Sequence, residues 1–143
     1  MNRQYPRLVI RRDKLRSNFT QVITRCAREG ISVAGVIKGI DGLEDVARLY
    51  KECGAAQLAS SRLEQLERWR QAGIPGPYLL LRVPGPSELG DLVRLADYSL
   101  QSEVAVLRLL ETECARQGKE HRAIIMADLG DLREGFYDPD ELV

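Results

Sequence analysis

Three short, mostly apolar runs at an even spacing constrain this chain more than any other feature. Residues 33–37 (VAGVI), 56–60 (AQLAS) and 78–83 (YLLLRV) lead to Lys38, Ser60 and Arg82, and each of these tips stands 22 residues after the last. The runs do not alternate polar with apolar, as a half-exposed strand would. They read as strands covered on both faces, which calls for a parallel sheet with helices as crossovers. No sequence repeat accompanies the spacing, only a repeated strand–helix unit. Right-handed crossovers make successive units wind one way. Two closures fit, an open doubly wound sheet or a (β/α)8 barrel. No GxGxxG follows a strand, against the dinucleotide-binding form of the open sheet.

The intervening stretches carry helix signals. Asp13 can cap a helix that uses Leu15, Phe19, Val22, Ile23 and Cys26 as its apolar stripe and has Gly30 just past its end. Asp41-Gly-Leu-Glu44 and Ser61-Arg-Leu-Glu64 have capping-box spacing, and Ser102 stands ready to cap a helix running to Gly118. Residues 98–100 and 123–128 read as further strands, and residues 8–10 as a short one at the head of the chain. Trp69 and Tyr78 are expected in the core. Residues 138–142, Asp-Pro-Asp-Glu-Leu, form a helix start, with acidic residues at the positive end of the dipole. Val143 follows at once, and so short a helix is not stable alone. The expectation is an α/β chain cut from a longer protein; if the closure is a barrel, as the resemblance given below implies, this is a partial (β/α)8 TIM barrel with about five of eight parallel strands, truncated at the C-terminus.

Composition excludes several classes. Twenty-one basic residues balance twenty-one acidic ones, so no general electrostatic grip on nucleic acid or a membrane surface is expected. No apolar run suits a bilayer span, and the N-terminus lacks the apolar core of a secretory signal. Cys26, Cys53 and Cys114 lie far apart, as buried free thiols of a cytoplasmic protein would, and the single histidine, His121, leaves a metal site short of ligands.

Two places carry candidate chemistry. Lys38 ends the strand at 33–37, and strand C-termini face the active site of a barrel. A lysine there can form a Schiff base if its ammonium is destabilised, or it can simply escape to water. Asp128-Leu-Gly-Asp-Leu-Arg133-Glu-Gly-Phe136 is a glycine-bounded loop in which Arg133 offers forked donors to an anionic oxygen. Alternatively Arg133 pairs with Asp128, Asp131 or Glu134. Asp41, Ser60, Arg82 and Asp128 are possible pocket-lining residues, with Gln101 ending its own strand at the same mouth. Asp41 also reads as a helix cap, and Arg82 as a rim partner of Glu103 or Asp97.

VAGVIKG, followed by MADLGDLREGF, resembles the N-terminal barrel of the fold-type III pyridoxal-phosphate enzymes, most closely the alanine/ornithine racemase group. YPRLVIRRDKLRSNF, CGAAQLASSRLEQLERWRQAGIP and LLLRVP extend the likeness over essentially the whole chain. The resemblance implies that Lys38 holds pyridoxal 5'-phosphate as a Schiff base and acts as a base, and that Arg133 reaches the cofactor's phenolic oxygen. It implies an enzyme that interconverts L- and D-amino acids as a homodimer, with the opposite-face base, a tyrosine, coming from the partner's second domain. It also implies that residues 1–12 belong to that second, β-rich domain, and that residues 13–143 are the N-terminal part of the cofactor-binding barrel. Alone, the chain is expected to be inactive. Two departures favour a substrate other than alanine, such as ornithine. Gly42 stands where alanine racemases typically have a tyrosine, and Met126 where many carry a modified lysine. Alternatives of the same fold type are a pyridoxal-phosphate homeostasis protein and a D-amino-acid aldolase; of another class, a non-catalytic binding half-barrel.

Overall fold

The computed structural model describes residues 7–138 and 140. In chain order the elements are α1 (Arg12–Arg28), β1 (Ala34–Val36), α2 (Glu44–Glu52), β2 (Gln57–Ser60), α3 (Leu63–Gln71), β3 (Tyr78–Leu80), α4 (Leu89–Leu95), β4 (Tyr98–Gln101), α5 (Val104–Gln117) and β5 (Arg122–Ile125). Short 3₁₀ turns occupy Lys38–Ile40 and Pro86–Glu88. The five strands form one sheet in the order β1-β2-β3-β4-β5, every pair parallel. Each strand lies beside its predecessor and the order never reverses. A doubly wound sheet reverses once, at its switch point. Right-handed crossovers without a reversal keep all the connecting helices on one face. This is the winding of a (β/α)8 barrel, and it decides between the two closures.

The register sorts the strand residues onto two faces. Gly35 pairs with Leu58 and Leu58 with Tyr78, while Ser60 pairs with Leu80 and Leu80 with Ser99. These residues face the helices. Leu58, Tyr78 and Leu80 join Leu66, Trp69, Leu92, Val93 and Leu110 in the core. Burying each such side chain contributes about 1.5–3 kcal/mol. The alternate set, Val36, Ala59, Leu79, Leu100 and Ile124, lies on the opposite, concave face. Ala59 and Leu79 are buried there, whereas Val36 on β1 and Ile124 on β5 are exposed at the sheet's two edges.

Trp69 and Tyr78 are in the core as expected; the Trp69 indole donates to the Gly42 carbonyl at 2.7 Å. The helix starts differ from expectation. The N-cap residues of α1, α2, α3 and α5 are Arg11, Leu43, Arg62 and Glu103, and none makes a side-chain cap bond. Asp13, Asp41, Ser61 and Ser102 therefore do not cap. After β1 the chain makes a 3₁₀ turn before the helix, with Asp41 left-handed (φ 53) at its end, and after β2 the helix begins one residue later than a Ser61 cap would place it.

Residues 8–10 form no strand. No described strand pairs with them, and Leu8 and Val9 are exposed. Most of the helix start expected at residues 138–142 lies outside the described residues. No helix among the described residues is long and apolar enough to cross a membrane.

Candidate active site

In a parallel sheet all strand C-termini share one rim. Lys38 stands on that rim directly after β1. Ile37 is buried toward the helices, and the next residue turns out into solvent. A tight turn follows, in which the Ile37 carbonyl accepts from the amides of Ile40 (3.3 Å) and Gly42 (3.1 Å). Among the described residues Lys38 belongs to no ion pair.

Arg133 rides on a closed loop beyond β5. The Phe136 amide donates to the Met126 carbonyl (2.8 Å), and the Asp128 amide donates to the Phe136 carbonyl (2.9 Å), so the chain returns beside the strand it left. The Asp128 carboxylate accepts from the amides of Gly130 (2.7 Å) and Leu132 (3.2 Å). These backbone donors, Gly130 first, hold its carboxyl below the usual range. Gly135 is required at the return. Its φ is +129, and a Cβ there would lie 2.6 Å from the Asp128 nitrogen. Asp128 is thus the loop's internal anchor. Arg133 is exposed and forms no ion pair among the described residues, so its pairing with Asp128, Asp131 or Glu134 is not what the loop does. It helps to line a shallow cavity of about 420 Å³ with Val83, Ser102, Asp128 and Glu134.

The other candidates have partners of their own. Arg82 grips Glu88 with both guanidinium nitrogens (2.7 and 2.5 Å) and donates from Nε to the Ser61 carbonyl (2.8 Å). That bond from Arg82 holds the Glu88 carboxyl below its ordinary value. Glu103 and Asp97 are not its partners; Asp97 instead accepts from the Tyr78 amide at 2.7 Å. Asp41 is drawn to α3, where Gln65 Nε2 donates to its carboxylate at 2.9 Å and Arg68 lies 3.4 Å away. Ser60 and Gln101 end their strands in the helix-facing register. The Ser60 hydroxyl donates to Gln65 Oε1, and Gln101 Nε2 donates to Ser99 Oγ at 2.8 Å. Both are fully buried against the helix layer, not in the mouth.

Strand parity supplies the reason, and it shows what was missed. Side chains alternate faces along a strand. If the helix-facing residue is the last of β4, the mouth belongs to the residue after it. That residue is Ser102, which lines the cavity beside Arg133. Counting by twos from Tyr98 on the concave face would have found it.

Among the described residues the rim therefore carries a primary amine outside any ion pair and a guanidinium on a glycine-bounded loop. The amine follows β1 and the guanidinium follows β5, the two outer strands of the sheet; an amine can hold an aldehyde, and a guanidinium an anionic oxygen. Among the described residues no group of three or more His, Cys, Asp or Glu could hold a metal ion.

The family model "Alanine racemase, N-terminal domain" matches residues 10–143. The chain is 33% identical over 138 residues to the ornithine racemase of Acetoanaerobium sticklandii, which covers 96% of this chain and 38% of that one. It is 37% identical over 134 residues to the lysine racemase of Thermotoga maritima, 93% of this chain and 38% of that one. Its fold matches the solved alanine racemase of Clostridium difficile 630 with a TM-score of 0.81 at 23% identity, covering 91% of this chain and 37% of the other. The chain spans about 38% of the length of the curated relatives it matches.

Proposed function

The chain belongs to the alanine racemase N-terminal domain family, a pyridoxal-phosphate-dependent family, and from that premise we propose that it supplies the cofactor-anchoring wall of an amino-acid racemase. The observation that carries this reading is Lys38, exposed at the C-terminal rim directly after β1 and outside every ion pair among the described residues.

When bound, pyridoxal phosphate draws electron density from an amino acid's α-carbon and eases loss of its proton. Lys38 provides the amine that anchors it and, once displaced, a base at Nζ that can take or return that proton. Arg133 orients an anionic oxygen with its forked N–H donors. The loop closed by Phe136 and Asp128 carries Arg133 beyond the end of β5.

The substrate we propose is a basic amino acid, ornithine or lysine ahead of alanine. The racemases of A. sticklandii and T. maritima carry those substrates in their names and match nearly the whole chain. Gly42 and Met126 add support by standing where alanine racemases typically have a tyrosine and a modified lysine. The reading extends to a cytoplasmic homodimer, with residues 1–12 part of a second domain and the opposite-face base supplied by the partner.

The test uses the full-length protein. Added pyridoxal phosphate is expected to produce an absorption band that Lys38→Ala abolishes, and circular dichroism over a panel of L-amino acids should show ornithine or lysine racemised fastest. A wild-type protein with no cofactor band, or a band unaffected by Lys38→Ala, would overturn the reading.

A further inference from the structure

The turn that carries Lys38 is held from outside by α3. Asp41 and Gly42 are consecutive left-handed residues, φ 53 and 63. A non-glycine residue there is costly unless its surroundings hold it, and α3 grips both. Gln65 Nε2 donates to the Asp41 carboxylate at 2.9 Å, Arg68 donates to the Asp41 carbonyl at 2.5 Å, and Trp69 Nε1 donates to the Gly42 carbonyl at 2.7 Å. Gln65 is in turn fixed by the Ser60 hydroxyl at the tip of β2, which donates to its other end. Gln65, Trp69 and Ser60 are all buried. Position 42 has no room for more. A Cβ there would meet Gln65 carbons at 2.9–3.0 Å, so Gln65 and a side chain at 42 exclude one another.

We propose that Gln65, acting through Asp41, is the positioning residue for Lys38: it sets the turn that aims the amine, in the space a side chain at position 42 would need. The proposal rests on the cofactor reading only in naming Lys38 as the amine that reacts. A near-attack geometry lost through a shift of about 1 Å can cost up to about a hundredfold in rate, so a turn-setting contact outside the site is enough to matter.

The test is made on the full-length protein with two readouts. In the first, Lys38 Nζ adds to the aldehyde of pyridoxal phosphate with loss of water, borohydride reduces the resulting C=N bond, and mass spectrometry gives the trapping rate at Lys38. In the second, hydrogen exchange follows the Gly42 amide. Gln65→Leu fills the space but cannot donate. Asp41→Gly keeps the left-handed backbone but removes the acceptor, and serves if Gln65→Leu does not fold. Both are expected to slow trapping about tenfold and to speed Gly42 exchange, while Asp41→Asn, which keeps an acceptor and tolerates the left-handed conformation, stays near wild type. Wild-type trapping rates in Gln65→Leu or Asp41→Gly overturn the proposal. If the wild type itself is not trapped, the cofactor reading fails separately. The clamp then stands or falls on whether Gly42 exchange accelerates in the variants.

Discussion

His121 shows how much one residue's chemistry owes to its neighbours. From the sequence it was only a histidine too isolated to share a metal. In the fold its Nδ1 lies 3.2 Å from the Ala96 carbonyl and its Nε2 2.8 Å from the Ser99 hydroxyl. A neutral ring serves both, with Nδ1–H donating to the carbonyl and Nε2 accepting from the serine. Burial pushes its pKa below the ordinary 6.5, against smaller opposing effects of Ala96 and Asp97. As pH falls through 6.5 the unfolded chain therefore binds this proton first, and folded stability declines from there downward. The carboxyls held low by hydrogen bonds, Glu88 by Arg82 and Glu113 (to about 2) by Arg116, titrate in the folded state below their ordinary 4.5. They start to lose their contribution only as pH approaches that value. Between about pH 7.5 and 5.5 the urea midpoint of the wild type is expected to fall while that of His121→Gln holds steady. Equal losses in both would show that another group titrates.

At the scale of elements, the types were legible and the joints were not. All five strands and the helices between them follow from apolar runs and 3.6-residue periodicity, and Gly30 and Gly118 end α1 and α5 in the left-handed conformation as read. The capping boxes misled because spacing cannot say where a strand tip releases the chain. At β2 the Ser61 carbonyl is taken by Arg82, and α3 begins only at Leu63 behind an N-cap Arg62 that makes no side-chain bond. Losing a working N-cap costs about 1 kcal/mol. Ser61→Ala keeps the carbonyl, so it is expected to change the unfolding free energy by less than about 0.5 kcal/mol. A loss near 1 kcal/mol in chemical denaturation would restore the capping box.

At the scale of the whole molecule, the sheet has two outer strands, and β5 is exposed along its length, with Ile124 on the concave face and Ile125 on the other. An unpaired parallel edge with apolar faces is a template for another strand. The 143-residue chain is expected to self-associate with rising concentration, and Ile125→Lys to suppress that association. Sedimentation of the wild type as a monomer up to about 100 μM would count against it. The sequence alone determined a parallel α/β sheet and its strand count, because apolar runs are local signals; Lys38 and Arg133 came forward through the glycine-bounded loop and the family likeness, not through the strand itself. The strand order bears out the partial barrel expected from the sequence; only the tertiary structure decided that Ser60 and Gln101 turn away from the mouth, and that Arg82 and Asp41 are held by Glu88 and α3. Strand order, register parity and ion-pair choice depend on which distant residues become neighbours, and spacing along one chain does not carry that information.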